Sequence, residues 1–488
     1  MSFNSTQIIH ELRADFEQLI ELVTGPESQT ATLNQMERSL FRRVLRLGFK
    51  LLQLFLCTRT HAESHAPQPG AHGTTVPYHS QKAVDYFSIF GKLEVEHAYF
   101  YQSGQPGRAP LPSELSLPER CYSDLLMESA ELLAVDSAYD KGLEVIARLL
   151  GLTLSEAAVE TLVAEDSQAV KAFYTQKTPF PAEEEGHLLV AQADGKGVPM
   201  VRSETANPKA RRGKGEKKTH KKEAIAVAVY TIEPYLRTPQ AVVDALFQNG
   251  PRPIPDERPA PCHKQIFASL DGKEAALKRL ATWTARREGP HIVQRVALTD
   301  GALALQKHMQ TKLPGFSLVL DLIHVDEYVW KAGTAIYGET DPQRSKWVES
   351  QLLEILSSHT DQVIEELETR ASKVAKRSKA GKVFRQVANY FRRNLPYMDY
   401  AEYLRQGWPI GTGVIEGVCR HLVKDRMELS GMRWTVEGAG DLLALRAVNE
   451  NGDWEEYHQY RRIQRHKKLY HKPLIESWVD QAERLEIN

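Results

Sequence analysis

Cysteine is scarce in this chain, and what little there is excludes two classes of fold. Among 488 residues only Cys57, Cys121, Cys262 and Cys419 occur, none in a CxxC pair. That usage argues against a disulfide framework and a zinc ribbon, and it fits a reducing compartment. Long hydrophobic runs are also missing. The most apolar stretch, Val44 to Cys57, is interrupted by Arg46, Lys50 and Gln53 and is too short to span a bilayer. The N-terminal MSFNSTQIIHELRADFEQL has no signal-peptide core, so a cytoplasmic protein without a membrane partner is expected. Charge of one sign is absent too: 62 basic residues face 63 acidic ones. Any affinity for nucleic acid must therefore come from local patches and not from the field of the whole molecule. The length allows about two to four domains and an ample core.

What is present is a change of texture along the chain. Leu33, Met36, Leu40, Val44, Leu47, Leu51 and Leu54 recur at spacings of three and four, which predicts a long amphipathic helix. A core helix is the plain reading of it, and self-association the other. Residues 61–80, rich in His, Pro and Gly, read as a linker. GKLEVEHAYFYQ then alternates as a strand does, and helical patterns run from about Pro118 to Ala172. Within them LEVIARLLGLTLSEAAVETLVAE has the outline of helix, Gly turn, helix, with a capping box from Thr153 to Glu156. A DNA-reading helix-turn-helix and an ordinary helical hairpin both fit, because Glu156 and Glu160 stand where cations would be expected to face phosphates.

From His187 onward strands and helices alternate. HLLVAQAD, AIAVAVYTI, HIVQRVALTD and FSLVLDLIHV read as strands, with helices over Lys273 to Arg287 and Ala302 to Lys312. This alternation implies a mixed or parallel sheet flanked by helices. After Val325 the strand signals stop and residues 326–405 look helical throughout. The last segment, YHQYRRIQRHKKLYHKP, is basic and aromatic and reads as a partly ordered tail.

Three acids stand where a metal-dependent phosphoryl-transfer site would need them. Asp194 and Asp300 each follow an apolar strand and precede Gly, and Glu416 lies near the start of a later helical run. Two-metal catalysis needs carboxylates converging from separate elements on a pair of Mg²⁺ ions roughly 4 Å apart. A lone Asp-Gly after a strand is more often a hairpin turn, and Glu416 with Arg420 could be a mere i,i+4 surface pair. The recurrence of the pattern in one α/β unit favours chemistry. Asp321 and His324 close the last strand, as a helix N-cap beside a core-edge histidine, as an orienting pair for the acids, or as an alternative ligand. Between Lys209 and Lys222 eight cations face one Glu: Lys209, Arg211, Arg212, Lys214, Lys217, Lys218, Lys221 and Lys222. A solvated loop is the ordinary reading of such a run, but its place beside Asp194 favours binding to phosphates. Arg420, Lys424, Arg433 and Trp434 extend the expected DNA-binding set, Trp434 either by stacking on a displaced base or as a core residue.

The order Asp194, Asp300, Asp321-x-x-His324, Glu416, Arg433-Trp434 resembles DDE transposases of the Mutator-like and hAT-like type, and more closely those of bacterial insertion sequences of the ISKra family. The likeness extends over QADGKGVPM, TDGA, LDLIH and GTGVIEGVCRHLVKDRMELSGMRW. It implies an α/β RNase H-like catalytic core with a mixed sheet and flanking helices, an all-helical insertion, and a mainly helical N-terminal DNA-binding region. The division that follows is 1–60 and 61–180 for the N-terminal parts, 181–325 and 406–450 for the core, 326–405 for the insertion and 451–488 for the tail. The resemblance further implies that Asp194, Asp300 and Glu416 bind two Mg²⁺ ions, with Mn²⁺ able to substitute. The activity implied is cleavage and strand transfer at the terminal inverted repeats of double-stranded DNA, by a homo-oligomer. Asp300 is taken as the second acid in preference to Asp321. The alternatives are a structure-specific nuclease and a DNA-binding protein that has lost catalysis.

Overall fold

The computed structural model describes residues 5–70, 74–201, 221–249, 258–429, 431–472 and 474. They fall into two compact units, one formed by residues 1–169 with 454–488 and the other by residues 170–453.

In the first unit the helix Leu33–His61 begins at a capping box between Thr32 and Gln35 and pairs with the helix Ser5–Thr24. The expectation of a plain core helix is corrected here, since Leu33, Phe41, Val44, Leu51 and Phe55 are exposed and only Leu56 is fully buried. Leu56 packs with Leu93, Val95 and Leu117. The two short strands β1 (Gln68–Pro69) and β2 (Thr75–Val76) pair with each other. A hairpin follows, made of β3 (Tyr78–Ser88) and β4 (Gly91–Phe100), so the strand signal began before GKLEVE. The helices Asp124–Asp136, Tyr139–Leu150 and Glu156–Ser167 come next. Gly151, at φ +71°, ends the second of these, and the third is capped by Ser155 accepting from Ala158 N, not by Thr153 as expected. The basic segment expected as a partly ordered tail is the helix Trp454–Tyr470 over much of its length. Its arginines are committed to acids of this unit: Arg462 pairs with Glu128, and Arg465 with Asp124.

The second unit is built on five strands, β5 (Leu188–Pro199), β6 (Lys221–Ile232), β7 (Cys262–Ser269), β8 (Gln294–Thr299) and β9 (Ser317–Leu320). Their spatial order is β7-β6-β5-β8-β9. The pairs β5/β6 and β6/β7 are antiparallel, whereas β5/β8 and β8/β9 are parallel. This mixed sheet with helical crossovers is compatible with an RNase H-like core. Strands β5 and β6 are buried over long continuous runs, which is why they read as unbroken apolar stretches instead of alternating ones. Strand β7 was not anticipated, because Cys262, His263, Lys264 and Gln265 hide its apolar end.

The helical region after β9 consists of Leu322–Tyr337, Gln343–Leu356, Thr360–Ser372, Lys379–Asn394 and Tyr400–Arg405. It is not an appendage. Leu188, Val190, Val296, Leu298 and Val319 of the sheet share one apolar cluster with Val325, Val348, Leu352, Phe384 and Phe391 of these helices. The strand ends are thereby held by a solid body of packed side chains.

A buried ion pair braces the opposite end of the sheet. Arg287 donates from Nε to Glu185 Oε1 at 2.9 Å and from Nη1 to the carbonyl of His263 at 2.9 Å, and both side chains of the pair are 2% exposed. Removing one partner of such a pair strands the other charge in the interior, at a cost of about 3–5 kcal/mol. Glu185→Gln should therefore lower the unfolding free energy by about 3 kcal/mol, measured by urea denaturation. A loss below about 0.5 kcal/mol would show that the pair adds nothing to stability.

Candidate active site

Register alone brings three acids into a row. The parallel pair β5/β8 ends with Gln192 opposite Leu298, and Asp194 and Asp300 each lie two residues further on. The pair β8/β9 ends with Thr299 opposite Leu320, and Asp300 and Asp321 are the next residues on each side. Adjacent parallel strands are about 4.8 Å apart, so the three carboxyl-bearing positions stand side by side at one sheet edge.

Each is held differently. Asp194 was expected in a tight turn, and here the structure corrects the sequence reading. Strand β5 continues through it to Pro199, with Asp194 opposite Ala226 of β6. A Cβ at Gly195 would lie 2.5 Å from Glu223 Oε1, and one at Gly197 3.0 Å from Lys221 Cδ, both on flexible side chains. Asp300, in contrast, does sit at a turn. Gly301 has φ +85°, and Asp300 Oδ1 accepts from Ala302 N at 2.8 Å. The helical region clamps this turn, with Tyr390 donating to the carbonyl of Asp300 at 2.9 Å and Arg393 to that of Gly301 at 2.7 Å.

Asp321 is fully buried and caps the helix Leu322–Tyr337. Its Oδ2 accepts from His324 N at 3.0 Å and His324 Nδ1 at 2.6 Å, while Oδ1 accepts from Thr412 N at 2.7 Å. That last bond lays the distant segment carrying Glu416 across the strand ends. Two further bonds fix it there: Leu322 N to Ile410 O at 2.9 Å, and Ile415 N to Gln192 Oε1 at 2.9 Å. Glu416 follows on the helix Gly413–Val418 and accepts from Thr412 Oγ1 at 3.1 Å. Among the described residues it makes no ion pair with Arg420, because the chain continues as a π-helical turn over Cys419–Lys424.

Several carboxylates meet at this edge, with His324 among them. Burial is the main reason the Asp194 carboxyl is pushed up, and the charge of Asp300 adds to it, while its bond from Gly195 and the nearness of His324 oppose it. Cys419 Sγ lies 3.5 Å from Asp194 Oδ2, and its thiol is pushed up by burial and by that carboxylate. The ligand atoms of Asp194, Asp300 and Glu416 do not form a group within 4.8 Å of one another. Among the described residues of this unit, the compact group of ligand atoms, all within 4.8 Å of one another, is that of Asp321, His324 and Glu416. The oxygens of Asp321 already take three N–H bonds.

The basic residues divide. Lys209, Arg211, Arg212, Lys214, Lys217 and Lys218 lie outside the described residues. Lys221 pairs with Glu428, and Lys222, Arg420, Lys424 and Arg433 are exposed. Trp434 is buried. It is 9% exposed, donates from Nε1 to Met427 O at 3.1 Å, and its main chain pairs with Pro199 and Val201 beyond Asp194. The residues that sequence reasoning missed are Gln192, Tyr390, Tyr400, Thr412 and Cys419. The one available signal was Gln192, a polar residue inside an apolar strand.

No protein-family model matches the chain, and no curated protein matches it. Among solved structures, a Drosophila P element transposase strand transfer complex is similar at a TM-score of 0.23 and 9% identity, covering 73% of this chain and 83% of that chain. A likeness of that degree carries no argument about fold or activity.

The Asp321–His324 pair has a defined pH window. His324 is raised from 6.5 to about 9, chiefly by its bond to Asp321, so its stabilising effect is complete below pH 6.5 and is lost as pH rises through about 9. Asp321 is lowered below 3.8, its bonds from His324 and Thr412 outweighing burial, so its contribution is present above that value and lost in stronger acid. The stability difference between the native chain and His324→Gln should thus be largest near pH 5–6 and shrink towards pH 9 in denaturant melts. A difference that stays constant over that range would contradict the pairing.

Proposed function

We propose that this protein is a DDE-type transposase, which uses Asp194, Asp300 and Glu416 to cleave and join DNA strands with divalent metal ions. The observation that carries the reading is the register. Asp194 and Asp300 occupy equivalent positions two residues beyond the last parallel pair of β5 and β8, and Glu416 is brought to the same edge by the bonds of Gln192 and Asp321. A mixed five-stranded sheet compatible with an RNase H-like core adds to it.

Asp300 is the second acid in this reading, because Asp321 is buried and its oxygens are already committed. Bound Mg²⁺, or Mn²⁺ in its place, would activate a water or a DNA 3′-OH and offset charge on the attacked phosphate. The protein's own part is positional. Tyr390 and Arg393 hold the Asp300 turn, and Tyr400 donates to Leu320 O at 2.8 Å beside Asp321. The exposed Lys222, Arg420, Lys424 and Arg433, together with the run 209–220, supply cations for the DNA backbone. Double-stranded DNA carrying the element ends is the substrate, and a homo-oligomer would hold two ends together.

Asp194→Asn, Asp300→Asn and Glu416→Gln should each reduce strand cleavage at least about 10³-fold while leaving the melting temperature within a few degrees. The assay uses Mg²⁺ and a plasmid carrying the DNA that flanks the coding region. A pre-cleaved end in the same assay separates transposase from nuclease, since only the former joins it to target DNA. Near-normal cleavage by Asp300→Asn would remove Asp300 from the site.

Replacing Lys222, Arg420, Lys424 and Arg433 together by Gln should weaken binding to all DNA sequences alike. The slope of log affinity against log salt should fall by roughly 0.9 for each phosphate that is no longer neutralised. Unchanged affinity at moderate salt would assign these residues to an ordinary solvated face.

A further inference from the structure

The first unit holds a second group of metal-ligating side chains, independent of the site above. Glu131 on the helix Asp124–Asp136, Asp166 on Glu156–Ser167 and His458 on Trp454–Tyr470 bring their ligand atoms within 4.8 Å of one another. Glu131 and His458 are 0% exposed and Asp166 7%. Such groups are normally hydrogen-bonded when buried. Here both carboxylate oxygens of Glu131 and both ring nitrogens of His458 lack a hydrogen-bond partner.

The surrounding charges sharpen the point. Arg462 pairs with Glu128, Arg465 with Asp124, and Arg461 with Asp166 at 3.0 Å while also reaching Asp124 at 3.3 Å. Every acid of the cluster except Glu131 thus has an arginine. His458 Nε2 and Glu131 Oε2 are 3.7 Å apart, close to the separation of two ligands each about 2.0–2.2 Å from one tetrahedral ion. On the far side of the ring, Nδ1 lies 3.9 Å from Glu128 Oε1, where a metal-bound imidazole usually finds an orienting carboxylate.

We propose that Glu131, Asp166 and His458 form a structural site for a divalent transition-metal ion of the Zn²⁺ class, which staples the helix Trp454–Tyr470 to the helices Asp124–Asp136 and Glu156–Ser167. One imidazole and two carboxylates, wholly enclosed, suit such an ion better than Mg²⁺, which keeps several waters. The ion supplies the charge that Glu131 otherwise lacks, and it joins segments about 300 residues apart in sequence. The site does not depend on the proposed catalysis.

The test uses the full chain, stripped with a chelator, titrated with Zn²⁺ alone, and then dialysed against metal-free buffer containing excess Mg²⁺. The expected result is about one zinc retained per chain and a melting temperature raised on the order of 5 °C over the stripped protein. Glu131→Gln, which keeps the side-chain volume, should lose both effects, as should His458→Gln, while Glu416→Gln should keep both. If either ligand variant does not fold, the zinc content and melting shift of the native chain still decide. No zinc retained by the native chain would overturn the site and leave Glu131 and Asp166 sharing a proton. Retention that survives Glu131→Gln, or that is lost in Glu416→Gln, would overturn it as well.

Discussion

The arrangement at the sheet edge depends on the carboxylate of Asp321. It ends the last strand, caps the helix that follows and accepts the N–H of Thr412, so three parts of the chain meet on its two oxygens. A carboxylate taking three N–H bonds in a fully buried position has little freedom left, and the partners it orders are fixed with it. The segment bearing Glu416 has no strand of its own with which to join the sheet. Its position comes from Asp321, from Gln192 and from the main-chain bond between Leu322 and Ile410.

The helical region between β9 and Glu416 has the complementary task. Its apolar side chains merge with those of the sheet, and its polar ones, Tyr390, Arg393 and Tyr400, reach the carbonyls of the strand ends. Tyr390 is itself stacked on Tyr328 at a centroid distance of 3.9 Å. Acids gathered at one strand end need such bracing, because repulsion and desolvation both favour their moving apart or taking up protons. The raised Asp194 carboxyl is the residual sign of that tension.

Much of this was legible in the sequence, for reasons that can be traced to particular residues. Strands β5, β6, β8 and β9 lie inside the protein, so their apolar runs announced them, and the acids after β8 and β9 were visible as such. Less visible was anything decided by a partner far along the chain. Asp194-Gly195 looked like a turn because its pairing with Ala226 and Ile225 across the ladder cannot be read locally. Gln192 meets Ile415 over a separation of 223 residues, and nothing near either residue signals the meeting. Arg462 and Glu128 are 334 apart, so the basic C-terminal helix resembled a solvated tail until its acids were located.

The central claim is that Asp194 and Asp300, adjacent by register, hold a metal ion between them with Glu416 beside it, while Asp321 serves as the bracket. Anomalous scattering from crystals of the full chain soaked in Mn²⁺ tests this most directly. The account predicts a peak coordinated by carboxylate oxygens of both Asp194 and Asp300, with the Asp321 bonds to His324 and Thr412 intact. A peak on Asp321 with Asp300 left out, or no peak at this sheet edge in crystals that bind Mn²⁺ elsewhere, would contradict it.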